Sequence, residues 1–146
     1  MNIIHFLEKG IISKDAKTTI SIAKQLASEI PNDHTLALHG DLGTGKTTFV
    51  KGLAHKWGIN EEITSPTFNI YTIYKGHRNL IHLDAYRLSN ESEVENLFLE
   101  EFLLSPYCLV IEWPEKISSL LPRNTWHLYF SIQKDSSHFI KLEISN

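Results

Sequence analysis

Apolar positions recur along this chain with two periods, near 3.6 and near 2, and the succession of the two predicts alternating helices and strands. Asp15 can cap a helix, and Ile20, Ala23, Ala27 and Ile30 follow at helical spacing until Pro31, which predicts a first helix over about residues 15–30. Thr35-Leu36-Ala37-Leu38-His39 is a short apolar run ending at Gly40, and the amphipathic segment bearing Phe49, Val50, Leu53, Ala54 and Trp57 stops at Gly58. The order is strand, glycine loop, helix. Residues 80–84 and 108–112 are two further short apolar runs, each ending in a carboxylate, as buried parallel strands leading into a site often do. Between them Asn90 and Glu93 resemble a capping box, and Val94, Leu97 and Phe98 continue at helical spacing. The last two runs, 125–132 and 139–144, flank the polar Lys134-Asp135-Ser136-Ser137 and predict a hairpin. The expected architecture is a single α/β domain over residues 1–146, with a mainly parallel central sheet flanked by helices and a C-terminal β-hairpin.

A length of 146 residues with 42% hydrophobic and 21% charged positions fits one core. No apolar run approaches the length that spans a bilayer, and the start MNIIHFLEKG has neither a basic leader nor a small-residue cleavage site, so a soluble, cytoplasmic, unprocessed chain is expected. Cys108, the only cysteine, sits in an apolar run where a thiol behaves as a small buried hydrophobe. Net charge is −3, and Arg78, Arg87 and Arg123 form no basic cluster, which disfavours direct tight binding of RNA or DNA. The eight histidines show no H-x-x-x-H or cysteine-paired spacing, which argues against structural zinc.

The segment Gly40-Asp41-Leu42-Gly43-Thr44-Gly45-Lys46-Thr47 matches G-x-x-x-x-G-K-[ST], the phosphate-binding P-loop. A random chain of this length would show that pattern on the order of once in two hundred tries. Its context sharpens the match, because a loop between a strand and a helix is where successive backbone N–H groups and a helix N-terminus converge on a polyphosphate. Lys46 supplies charge to the β and γ phosphates, and the Thr47 hydroxyl is placed for Mg²⁺. Phosphoryl transfer also needs an acid for the metal or its waters and a group to orient the attacking water. Asp84 and Glu112, each at the carboxyl end of an apolar strand, are the candidates. The plainer alternative for either is a carboxylate capping the next turn.

With these residues in hand, the chain resembles the TsaE family, the ATPases of bacterial tRNA threonylcarbamoyladenosine biosynthesis. The resemblance rests on the loop through Thr48, then Thr64-Ser65-Pro66-Thr67-Phe68, then His82-Leu83-Asp84-Ala85-Tyr86-Arg87, then Ile111-Glu112-Trp113-Pro114-Glu115, in that order. It implies a P-loop NTPase fold, with ATP and Mg²⁺ as cofactors. Lys46 and the loop backbone would hold the phosphates, Thr47 and Glu112 would serve Mg²⁺, and Asp84 would be needed for hydrolysis. The nucleotide-binding set it implies is Thr19, Asp41, Leu42, Gly43, Thr44, Gly45, Lys46, Thr47, Thr48 and Thr67. Thr19, with Thr18 adjacent, falls near the adenine, and residues 64–67 resemble a switch loop near the γ phosphate. Trp113 would report on the nucleotide or pack in the core; Arg87 would stabilise charge in cis or pair at the surface. Thr44 stands where alanine is usual in the family.

The function so implied is ATP hydrolysis supporting threonylcarbamoylation of adenosine 37 in tRNAs reading ANN codons. TsaB- and TsaD-type partners are implied, with tRNA reached only through the complex and no membrane involved. Glu91, Glu93, Glu95, Glu100 and Glu101 offer a polar face for docking or a plain solvated one. Two competing functions share the loop. A small-molecule kinase usually adds an arginine-bearing lid, which three scattered arginines do not form; a non-catalytic nucleotide switch would order residues 64–68 without turnover.

Overall fold

Seven strands form one sheet in the computed structural model, which describes residues 2–64, 70–88, 90–95 and 97–144. In chain order the elements are α1 (Ile3–Lys9), β1 (Ile11–Ser13), α2 (Ala16–Ala27), β2 (His34–His39), α3 (Lys46–Lys56), β3 (Tyr71–Tyr74) and β4 (Asn79–Asp84). There follow α4 (Glu91–Glu95), a 3-10 helix Leu99–Phe102, β5 (Tyr107–Glu112), a 3-10 helix Pro114–Leu120, β6 (Trp126–Ile132) and β7 (His138–Ile144). The strand order is β1-β7-β6-β2-β5-β4-β3. The four central strands β6, β2, β5 and β4 are parallel, while β7, β1 and β3 run antiparallel to their neighbours at the two edges. The expectation of a mainly parallel sheet therefore holds for the centre alone.

The central strands are apolar on both sides because both sides are covered. Leu36 and Leu38, Cys108 and Val110, and Leu80 join one core with Leu7, Ile22, Leu26, Phe49 and Leu53 from α1, α2 and α3. The alternate positions Ile81, Leu83, Leu109 and Ile111 face a second, smaller core with Leu88, Leu99 and Ile117. The Cys108 thiol, fully buried, is pushed up to about 12 by desolvation, which leaves it an inert apolar filler.

Asp15 caps α2 by accepting the Thr18 N–H at 2.8 Å, as its position predicts. The helix ends at Ala27, three residues earlier than the apolar spacing implies; Ile30 is still buried, reached through a turn whose N–H groups return to the Leu26 carbonyl. Helices α2 and α3 approach closely at Gly52, where a Cβ would lie 2.6 Å from the Ala23 Cβ and 2.7 Å from the Ile20 carbonyl oxygen. Asn90 does accept the Glu93 N–H at 3.2 Å, but α4 stops at Glu95. Phe98, expected on a helical face, instead has φ 51° and is 63% exposed, so periodicity there does not mark a buried stripe. The C-terminal hairpin forms as predicted. No helix among the described residues is long and apolar enough to cross a membrane.

Candidate functional site

The loop from β2 to α3 turns on three glycines with positive φ: Gly40 at 146°, Gly43 at 78° and Gly45 at 98°. A Cβ on Gly40 would meet the Phe130 carbonyl oxygen at 2.6 Å, and one on Gly45 the His138 Nδ1 at 2.8 Å, so neither position accepts a side chain without movement. The Thr44 hydroxyl donates to the Asp41 carbonyl at 2.7 Å and is buried, an internal tie that alanine would not make. Asp41, Leu42 and Gly43 form the exposed tip, with Leu42 84% exposed. Gly45 is the N-cap of α3, no side chain caps it, and the first turn carries no acid. The uncapped N–H groups and the positive end of the helix dipole make this a place for an anion.

Lys46 opens α3 yet is buried, and its Nζ folds back to donate to the Gly40 carbonyl at 2.5 Å. The same Nζ lies 3.7 Å from Glu112 Oε1 and 4.6 Å from the centre of the Trp113 ring. Glu112 ends β5, and its other oxygen, Oε2, is 2.6 Å from Nε2 of the fully buried His82 on β4. Burial alone would raise the Glu112 carboxyl; the His82 hydrogen bond and charge, with the Lys46 charge, outweigh it and hold the group below its ordinary range. Asp84 is the in-register neighbour of Glu112 at the ends of adjacent parallel strands. Its Oδ1 accepts the Tyr86 N–H at 2.9 Å, so one oxygen fills the turn-capping role.

Thr47 and Thr48 are half-buried in the first turn of α3. Thr48 and Gly45 line a cleft of about 160 Å³ with Ser13, Asp15, Thr19 and His138. Thr19 is buried there, its hydroxyl 2.7 Å from that of Ser13, whereas Thr18 is exposed. On its other side the loop borders an open cleft lined by His39, Trp113, Glu115 and Ser131. Trp113 has a left-handed backbone, φ 59° and ψ 50°; its half-buried side chain packs against the second core while its ring faces Lys46 and lies 5.0 Å from the Tyr86 ring. Arg87 is exposed in the turn after β4. Thr67, with the rest of residues 65–69, lies outside the described residues.

A family model described as "Threonylcarbamoyl adenosine biosynthesis protein TsaE" matches residues 13–140, from β1 into β7 and across every element of this site. The chain belongs to the TsaE family. This TsaE chain is 35% identical over 129 residues to the tRNA threonylcarbamoyladenosine biosynthesis protein TsaE of Treponema pallidum, covering 88% of this chain and 96% of that one. It is 42% identical over 106 residues to the Bacillus subtilis protein of the same name, covering 72% and 66%. Among solved structures it is similar to the crystal structure of YdiB from Bacillus subtilis, with a TM-score of 0.79 and 29% identity over 94% of this chain and 85% of that one.

Lys46, Glu112, Asp84 and the Thr47 turn, chosen along the sequence of this TsaE chain, converge within the described residues. Two neighbours were not foreseen as site residues. His82 sits two positions before Asp84 on β4, and alternation along a strand would have placed both on one face. His138 comes close to Gly45 because the C-terminal hairpin docks through β6 on β2, and that parallel pairing of strands distant in sequence has no local signal.

Proposed function

We propose that this chain is an Mg²⁺-dependent P-loop ATPase that supports formation of the threonylcarbamoyl group on adenosine 37 of tRNAs reading ANN codons. It acts in the cytoplasm on a TsaB/TsaD-type complex and meets tRNA only through it. The observation that supports this most strongly is the uncapped N-terminus of α3 behind a glycine loop, with Lys46 buried between the Gly40 carbonyl and the Glu112 carboxylate. A buried cation, uncapped backbone donors and a carboxylate held ionised are the donor set a metal–polyphosphate needs.

In this reading the loop amides and Lys46 bind the β and γ phosphates, and the cleft at Thr19 and His138 takes the base end. Thr47 and Glu112 hold Mg²⁺, which when bound neutralises phosphate oxygens. Asp84, beside Glu112, uses its second carboxylate oxygen to orient the attacking water. Lys46 is the cation held at the loop, and Arg87 is exposed in the turn after β4, so hydrolysis by the isolated chain is slow.

Calorimetric titration with ATP and Mg²⁺ tests the reading. The parent chain binds, and Lys46→Ala, losing a charge-assisted hydrogen bond worth about 1.5–3 kcal/mol, binds about tenfold to a hundredfold more weakly. Equal affinity in the two proteins sinks it. Phosphate release measured on the parent, alone and with a TsaB/TsaD-type complex, separates an ATPase from a nucleotide switch that never turns over.

A further inference from the structure

His82 is fully buried, and its ring makes one polar contact among the described residues: Nε2 lies 2.6 Å from Glu112 Oε2. The carboxylate offers lone pairs alone, so Nε2 carries the proton and donates. The other ring nitrogen, Nδ1, is buried with no hydrogen-bond partner among the described residues. Burying an imidazole with half of its polar capacity unmatched costs free energy, and the contact with Glu112 is what that cost maintains. A histidine kept only to fill the core would be replaced at lower cost by an apolar side chain on the same strand face, where Leu80 already sits.

The two oxygens of Glu112 have different partners. Oε2 is tied to His82, whose position is fixed by β4; Oε1 faces Lys46, whose Nζ is 3.7 Å away at the end of a flexible side chain. In the reading proposed above Lys46 binds phosphate, and it follows that its Nζ, now on the Gly40 carbonyl, turns away from Glu112 when nucleotide enters. Glu112 then loses its mobile partner and keeps its fixed one. We propose that His82 is a positioning residue: its Nε2–H clamps Glu112 Oε2 through that exchange and so presents Oε1 in a constant place to the divalent metal of the metal–nucleotide complex. This inference rests on the nucleotide-binding reading.

The experiment uses the full chain and two variants. His82→Gln keeps an N–H donor able to reach Glu112, and His82→Leu fills similar space without one. Melting temperature, ATP affinity without metal, Mn²⁺ affinity of the ADP and ATP complexes by electron paramagnetic resonance, and single-turnover kcat and KM are measured on each. Groups that orient a metal-binding side chain typically govern affinity or activity by about tenfold to a hundredfold. His82→Leu is expected to lose at least about tenfold in Mn²⁺ affinity and kcat, with metal-free ATP affinity and KM near those of the parent; His82→Gln recovers most of the loss. Should His82→Leu fail to fold, His82→Asn, whose shorter amide falls short of Glu112, takes its place against His82→Gln. Parent-like Mn²⁺ affinity in the donor-less variant overturns the proposal, as does an equal loss in the absence of metal, which would mark a purely structural histidine. If the parent itself binds no nucleotide, the ATPase reading fails instead, so the two failures are distinct.

Discussion

Replacing Gly52 by alanine sets helix propensity against packing. In the interior of α3 the substitution would ordinarily stabilise by about 1 kcal/mol, since glycine is the poorer helix former. The added Cβ, however, would stand 2.6 Å from the Ala23 Cβ and 2.7 Å from the Ile20 carbonyl oxygen, roughly 1 Å inside an ordinary carbon–carbon contact. A backbone carbonyl and an alanine methyl have no rotamer to change, so α2 as a whole must move, and overpacking of this kind costs about 2–3 kcal/mol. The net expectation is a loss of about 1–2 kcal/mol, which for a chain of this size lowers the thermal midpoint by about 3–8 °C. Because α2 carries Thr19 and α3 begins at the glycine loop, the same displacement widens the cleft between them and weakens ATP binding. Differential scanning calorimetry and urea unfolding of the two proteins measure the first effect, and calorimetric titration the second. A midpoint equal to or above that of the parent would refute the close approach of the two helices.

Asp84→Ala and Glu112→Ala are expected to fold and still bind ATP, because loop amides and Lys46 supply the ground-state contacts, yet to fail in turnover. Mass spectrometry of bulk tRNA nucleosides, from cells lacking the native protein and supplied with each variant, reads this as missing threonylcarbamoyladenosine; normal levels with both variants would remove these acids from the mechanism and bring Glu115 forward. The His39 and His127 side chains, with Nε2 and Nδ1 2.9 Å apart, share one proton, and burial lowers both from the ordinary 6.5, helped at His39 by the His127 charge. Neutral in the fold and more readily protonated when unfolded, they contribute stability that is present above about pH 6.5 and lost as pH falls through their folded values. Thermal melts between pH 5 and 8 should therefore fall with acid more steeply for the parent than for His127→Gln; parallel curves would refute the pair's role.

Much of the centre of this fold was legible because its strands are short, apolar on both faces and separated by glycine or proline. β2, β4 and β5 each announce themselves this way. The edges were not. β1 is three residues long with one buried side chain, and α1 buries only Ile3 and Leu7, so neither holds enough periodic positions to stand above its surroundings. β3 (Tyr71–Tyr74) is rich in aromatic and branched residues but too brief to separate from a loop. The expected continuation of α4 failed because Leu97 and Phe98 repeat a helical spacing without a surface to bury Phe98 against. At the site, the loop and its lysine were local signals, whereas the His82 clamp and the approach of His138 depend on which strands become neighbours.

The two faces of the sheet are covered unequally, and the inequality divides the molecule into a slow and a fast half. On one side α1, α2 and α3 press fully buried side chains such as Leu7, Leu26, Phe49 and Leu53 onto the strands. On the other, the cover includes a five-residue helix with no buried residue and two 3-10 segments, with Phe98 and Leu104 more than half exposed. Local opening is easiest where few apolar contacts must be broken. Residues 91–95 and 97–104 are therefore expected to open locally more readily than the helix-covered side. The alternation of β4 and β5 puts Leu80 and Val110 on the helix-covered side, and His82 and Glu112 share that parity. The candidate site is thus anchored to the slow half, and excursions of the far cover leave the lysine, the carboxylate and the histidine standing in place.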